Sequence, residues 1–225
     1  MEIVLVRHGQ PEWIRDGVNV DDPPLTDLGH RQSSAMADHL AGERFDEVLV
    51  SPLVRARETA RPLLGRFERD EVIAHWLEEI RNPIWGGTPA EKADEAFREE
   101  RSRPAHDQWR GIDGGEPPAD FVARVRETCG LFLAERGIER VSATLPVWSV
   151  PNDDLRIVCV AHAGTNAVII CHLLGLEPTP WEWERLVMHH ASVTRLTNMR
   201  LGDGSAFLLE RLSDVEFLAA TDRTR

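Results

Sequence analysis

The stretch Met1-Glu-Ile-Val-Leu-Val-Arg-His-Gly-Gln10 decides how the whole chain is read, because an apolar run stops abruptly at Arg7-His8-Gly9. Ile3, Val4, Leu5 and Val6 are mostly β-branched and flanked by polar residues. That pattern predicts a buried strand, with Gly9 permitting a sharp exit. A guanidinium and an imidazole then stand at the strand's C-terminal end, the place where ligands bind in open α/β sheets. Taken alone, the pair reads equally well as polar loop residues.

The next elements follow outward from this strand. Gln10 to Pro24 is too rich in breakers for a helix and is expected to be a loop that could line a pocket. A helix is expected from Thr26, a good N-cap, to about Leu40, with Leu28, Met36 and Leu40 facing inward. Glu47 to Val50 predicts a second short strand. Ser51-Pro52 reads as an N-cap followed by proline at the first helical position, with Arg55 in the first turn. Pro62 predicts a kink or early end near Arg61.

Val72-Ile73-Ala74 is a third strand candidate, followed by Trp76 to Ile80 and a breaker-rich loop, Asn82 to Gly87. Residues 89–135 read as two helical pieces separated by Gly111 to Pro118. The first is charged and carries Trp109, which suits a cap. The second carries Phe121, Val122, Val125, Leu131 and Phe132 toward the sheet. Residues 137–154 show no periodicity and are expected to be an irregular surface excursion. Leu155 to Ala161 is another strongly buried strand, ending in His162-Ala163-Gly164 with a helix behind it. Ser192 to Asn198 and Ala206 to Leu212 form a hairpin around Gly202. The expected fold is α/β: a mostly parallel central sheet with helices on both faces, an antiparallel edge strand and a helical cap insertion. One domain spans residues 1–225, with 82–118 as the cap.

Composition narrows the function. The 225 residues are 42% hydrophobic and 28% charged, enough for a substantial core, and no apolar run approaches the roughly 20 residues a membrane helix needs. No basic n-region precedes an apolar h-region, so a cytoplasmic location without membrane contact is expected. A net charge of −12 argues against a nucleic-acid partner. Cys129, Cys159 and Cys171 are widely spaced and read as small buried residues, neither a disulfide framework nor a zinc site. The oligomeric state is left open, a homodimer included.

Three strand ends therefore deliver Arg7-His8, then Ser51 and Arg55, then His162 to one side of one sheet. Two guanidiniums, two imidazoles and a helix N-terminus near Gly164 are what a phosphoryl dianion requires. A neutral histidine is also a competent nucleophile.

These blocks resemble the histidine phosphatase superfamily, which includes the cofactor-dependent phosphoglycerate mutases. The resemblance is carried by Val6-Arg7-His8-Gly9-Gln10, by Leu25-Thr26-Asp27-Leu28-Gly29-His30-Arg31-Gln32, and by Ser51 to Ala60 with Arg55, Ala56 and Thr59. Leu77-Glu78-Glu79-Ile80, Gly114-Gly115-Glu116 and Val160-Ala161-His162-Ala163-Gly164 follow in family order. It implies that His8 attacks phosphorus, that Arg7, Arg55 and His162 hold the phosphoryl oxygens, and that Glu79 protonates the leaving alcohol and then activates water. Glu78 is the rival for the acid. Gln10, Trp85 and Ala163 are expected to touch the substrate as well. No metal or cofactor is implied, because arginines supply the charge.

The implied activity is that of a phosphomonoesterase working through phospho-His8 on a small phosphorylated metabolite. One alternative is a phosphoglycerate mutase, and another is a catalytically silent phosphate-binding module. The chain contains no tyrosine, and Arg81-Asn82-Pro83-Ile84-Trp85 replaces the Tyr-Gly-x-Leu segment that mutases of the family carry, which favours hydrolysis. Pro11-Glu12-Trp13-Ile14 also lacks the family's phosphate-side asparagine. Glu58 is expected to orient an arginine. The pair His189-His190 is expected to be structural, pointing to opposite faces of a strand. Trp13, Trp85 and Trp109 are candidates for the pocket lining, and Trp181 and Trp183 for packing.

Overall fold

A computed structural model describes residues 1–225. In chain order the elements are β1 (Glu2–Arg7), β2 (Ile14–Arg15), β3 (Val18–Asn19), α1 (Asp27–Leu40), β4 (Glu47–Val50), α2 (Val54–Phe67), β5 (Val72–Ile73), α3 (Glu91–Ser102), α4 (Pro118–Ala134), β6 (Glu139–Arg140), β7 (Trp148–Ser149), β8 (Arg156–Ala161), α5 (Ala163–Leu174), α6 (Glu182–Arg185), β9 (Val193–Leu201) and β10 (Gly204–Asp214). No helix is long and apolar enough to cross a membrane.

The α/β architecture is the expected one. The main sheet runs β5-β4-β8-β1-β9-β10-β7-β6. Its first four strands are parallel, and β9, β10, β7 and β6 extend it in antiparallel pairing. The antiparallel margin is thus wider than one edge strand. β1 is buried on both faces and sorts its residues by parity. Ile3 and Leu5 pack with Ile157 and Cys159 against Phe121 and Val125 of α4 and Ile170 of α5. Val4 and Val6 pack with Val158 and Val160 against Met36 and Leu40 of α1 and Leu63 of α2. Helices therefore cover both faces.

Parallel register places the site. Arg7 pairs with Ala161 and Val50 with Val160, so the strand exits His8, Ser51 and His162 stand at one level. The N–H of His8 donates to Ala161 O at 2.9 Å and that of Ser51 to Val160 O at 3.0 Å. Thr26 caps α1 as expected, its hydroxyl accepting from Gly29 N. The first loop lies so close to this helix that a Cβ on Gly29 would meet Gln10 O at 2.3 Å, and one on Gly9 would meet Gly29 O at 2.6 Å.

Several expectations are corrected. Ser51 does not cap α2; the helix starts at Val54 behind Leu53, with no side-chain cap. Pro62 does not end it, because Leu63 and Leu64, buried beyond the proline, anchor the last turn. Leu131 is 61% exposed, since the inward stripe of α4 passes instead through Val125, Cys129 and Leu133. Residues 137–154 are not merely a surface excursion. They contribute β6 and β7, and Trp148 is buried with its indole N–H donating to Leu173 O at 3.1 Å.

Candidate active site

His8 leaves β1 buried, and its Nδ1 lies 2.7 Å from Gly9 O. A carbonyl can only accept, so Nδ1 carries the proton and Nε2 keeps its lone pair. Burial, reinforced by Arg55, His162, Arg7 and His190, holds the imidazole well below its ordinary titration range. His8 is therefore neutral at pH 7. The Gly9 N–H donates to Thr59 Oγ1 at 2.9 Å, and the Thr59 hydroxyl donates to Arg55 O at 2.7 Å. That chain ties the exit of β1 to the first turn of α2.

The cations come from the same two elements. Arg7 donates through Nη1 to Met188 O, and its Nε is buried without a partner. Burial lowers its pKa to about 10, partly offset by Glu79, so it remains charged at neutral pH. Arg55 is also buried, lies 3.5 Å from Asp22 and stacks over Trp13, and its Nε likewise has no partner.

Ser51 faces His162 rather than capping α2. Ser51 Oγ lies 2.7 Å from His162 Nε2 and has no other acceptor within reach, so its hydroxyl proton goes to the imidazole. His162 Nδ1 then carries a proton, and it too is buried with no partner. The ring centroids of His8 and His162 are 5.1 Å apart.

Of the two candidate acids, Glu79 is the one held at the N-terminus of α5. Its carboxylate accepts from Gly164 N at 2.9 Å, Thr165 N at 3.2 Å and Ile80 N at 3.0 Å, whereas Glu78 pairs with Arg81. The N-terminus of α5 is thus not wholly open to a phosphoryl group, as its sequence position suggests: Glu79 takes two of its amides. The N–H of Ala163 has no partner. A Cβ on Gly164 would lie 2.5 Å from Glu79 Oε1, so glycine there admits the carboxylate.

These groups open into a cavity of about 660 Å³, lined by Arg7, His8, Arg55, Glu79 and Ala163. Trp13, Trp85 and Trp183 line it too, whereas Trp109 does not; it packs against the core beneath α4. Gln10 lies outside this cavity. Its side-chain oxygen accepts from Thr26 Oγ1 at 2.9 Å, and it faces a shallower neighbouring depression. Glu58 orients no arginine. It accepts from Leu25 N at 2.7 Å and so holds the loop before α1.

Residues 3–209 match the histidine phosphatase superfamily (branch 1). The chain belongs to that superfamily. Among its relatives, a glucosyl-3-phosphoglycerate phosphatase of Mycolicibacterium vanbaalenii is 30% identical over 182 residues, covering 80% of this chain and 76% of that protein. A probable 2-carboxy-D-arabinitol-1-phosphatase of Arabidopsis thaliana is 28% identical over 183 residues, covering 77% of this chain but only 33% of that longer protein. The structure of a mycobacterial glucosyl-3-phosphoglycerate phosphatase in complex with VO3 superposes with a TM-score of 0.68 at 26% identity, covering 94% of this chain and 98% of the other.

In this histidine phosphatase two supports escaped the sequence reading. His190 is not in a strand but in the loop before β9, and its ring packs 5.7 Å from that of His8. Arg7 Nη2 lies 3.1 Å from its Nε2, and Thr224 Oγ1 lies 2.9 Å from its Nδ1. The second support starts at Glu116, which accepts two hydrogen bonds from Arg124, each 2.8 Å. Arg124 in turn donates to the carbonyls of Glu78 and Glu79 at 3.2 and 3.3 Å. Burial would raise the Glu116 pKa, but Arg124 and the Arg81 amide bring it below the usual range. The Gly-Gly-Glu stretch thereby holds the backbone of Glu78 and Glu79.

Proposed function

We propose that this protein is a phosphomonoesterase that acts through a phosphohistidine at His8 on a small phosphorylated metabolite. The observation that carries the reading is that three buried donors without partners, Arg7 Nε, Arg55 Nε and His162 Nδ1, surround an imidazole whose Nε2 is free to attack. An unmade buried hydrogen bond is costly, and a phosphoryl dianion satisfies all three at once.

In the first step the Nε2 lone pair forms an N–P bond as the ester P–O bond breaks, and the leaving oxygen takes a proton from Glu79. In the second, Glu79 takes a proton from water, whose oxygen bonds to phosphorus as the N–P bond breaks. Inorganic phosphate leaves and His8 is restored. Arg7, Arg55 and His162 are preorganised around the transferring charge, and each such donor is worth about 2.7–4 kcal/mol of barrier.

The protein forms a single domain over residues 1–225 with 82–118 as its cap. No residue of α3 is buried, and one side of that helix lines the cavity. A cytoplasmic location is supported by three unpaired cysteines.

The test is metal-free turnover of p-nitrophenyl phosphate with rapid quench. Wild type should accumulate an acid-labile phosphoprotein, and His8→Ala should lose both that species and turnover. Turnover that survives His8→Ala overturns the reading. Phosphoglycerate mutases also stand among the relatives. Primer-dependent isomerisation of 3-phosphoglycerate without phosphate release would make the protein a mutase instead.

A further inference from the structure

Beyond its phosphoryl end the cavity is acidic. Four arginines and seven carboxylates line it. Arg7 and Arg55 serve the phosphoryl group, and the other two are already engaged: Arg81 with Glu78 at 2.7 Å and Arg101 with Glu184 at 3.0 Å. No free cation remains for a second anionic group on the substrate. Glu100 and Asp94, in contrast, line the cavity with no side-chain ion pair or hydrogen bond. Glu100 is half-buried, and burial pushes its carboxyl upward against the pull of Arg103 and Arg101. Arg103 is itself directed to Gly111 O and Glu99.

The same side of α3 also carries an aromatic surface. On α3 the spacing Ala93, Phe97, Glu100 places three residues on the side that lines the cavity. Phe97 meets Trp85 edge to face, with ring centroids 5.5 Å apart at 70°. A π-face beside an unpaired, partly desolvated carboxylate is a recognition chemistry for cations, since the ring quadrupole and the carboxylate attract the same charge.

We propose that the substrate of this site is a phosphomonoester whose leaving alcohol ends in an ammonium group, seated against the Trp85–Phe97 pair and beside Glu100. The proposal rests on the phosphomonoesterase reading and adds the substrate class. Charge sorting follows from the lining: phosphate goes to the arginine end and ammonium to the carboxylate end. A substrate with a carboxylate at its far end would meet Glu100 and Asp94 unscreened.

The experiment compares phosphocholine and its homologues with longer alkyl spacers against their uncharged isosteres, beginning with 3,3-dimethylbutyl phosphate, and against 3-phosphoglycerate. p-Nitrophenyl phosphate serves as the reference ester. At the best spacer length kcat/KM for the ammonium ester should exceed that of its neutral isostere by about tenfold. Glu100→Gln should collapse that ratio toward one, and Phe97→Leu should narrow it. Because no residue of α3 is buried, neither change should endanger folding. Equal rates for charged and neutral isosteres at every length, or a preference for 3-phosphoglycerate, overturn the ammonium proposal while leaving the phosphatase reading standing. Failure to hydrolyse even p-nitrophenyl phosphate removes the phosphatase reading, and the substrate class falls with it.

Discussion

Arg7 Nη2 lies 3.1 Å from Nε2 of His190, and the geometry allows one protonation state. A guanidinium can only donate, so Nε2 must accept and Nδ1 must carry the proton toward Thr224 Oγ1. Thr224 Oγ1 also accepts from Gln32 Nε2 at 2.9 Å. Its two lone pairs are then used and its role is fixed. His190 thus holds Arg7 in place while contributing no charge, and under the proposed mechanism it is a positioning residue for that arginine. Burial and Arg7 lower its pKa to about 3, consistent with a ring that must stay neutral.

His190→Ala should therefore raise KM for p-nitrophenyl phosphate and lower kcat/KM by about tenfold to a hundredfold, the scale of a misaimed transition-state donor. His190→Gln, which can still offer an acceptor, should recover part of the loss. A merely structural role predicts a lower melting temperature with unchanged KM and no rescue by glutamine.

Glu79 and Gly164 form a second coupled pair. A methyl group at residue 164 would stand 2.5 Å from Glu79 Oε1, so Gly164→Ala must displace the carboxylate. It should reproduce the defect of Glu79→Gln, with kcat falling more for alkyl phosphates than for p-nitrophenyl phosphate, whose leaving group needs little protonation. The double variant should be no worse than either single one. Additive losses, or equal losses on both esters, would remove Glu79 from the acid's role.

Much of this site was readable because its parts lie next to markers of local structure. Arg7 and His8 follow four apolar residues, His162 follows the same kind of strand, and Arg55 sits in the first turn of a helix. Parallel pairing then brings these positions together without further information. His190 was unreadable for the opposite reason: its partners are Arg7, 183 residues away in sequence, and Thr224, 34 residues away. Sequence spacing around His190 itself carries no trace of either. Strands β6 and β7 have two residues each, too few for a period of two to show, and Trp148 is fixed only by long-range contacts. Ser51 has the residue type of a cap, but the helix begins only at Val54, behind Leu53, and the Ser51 hydroxyl faces His162 instead.

The Glu116–Arg124 pair is largely withdrawn from solvent, with side chains 10% and 20% exposed. Removing one partner leaves the other unpaired and releases the Glu78–Glu79 backbone. Arg124→Ala should cost about 3 kcal/mol in a urea titration and slow turnover as well. Glu116→Gln keeps hydrogen-bonding capacity and should cost less on both measures. Normal turnover in a destabilised Arg124→Ala protein would separate this pair from the acid.

Acid sensitivity should come from buried histidines. Burial pushes His172 down to about 4 and His190 to about 3, and His8 and His162 also titrate well below the ordinary value of 6.5. The unfolded chain binds these protons near pH 6.5 and the folded chain does not. Stability from these groups is therefore fully present above about pH 6.5 and is lost as pH falls toward 4 and 3. His172 allows the cleanest test, because it lies away from the site with both ring nitrogens buried and unpartnered, its ring edge-on to Trp148 at 5.4 Å. His172→Phe keeps the ring contact and removes two unsatisfied polar atoms along with the titration. It should stabilise the protein by about 1–2 kcal/mol at pH 7 and by more at pH 5. Parallel urea titrations at the two pH values read that difference directly. An equal gain at both would show that His172 takes up no proton on unfolding, and the acid slope would then belong to the site histidines.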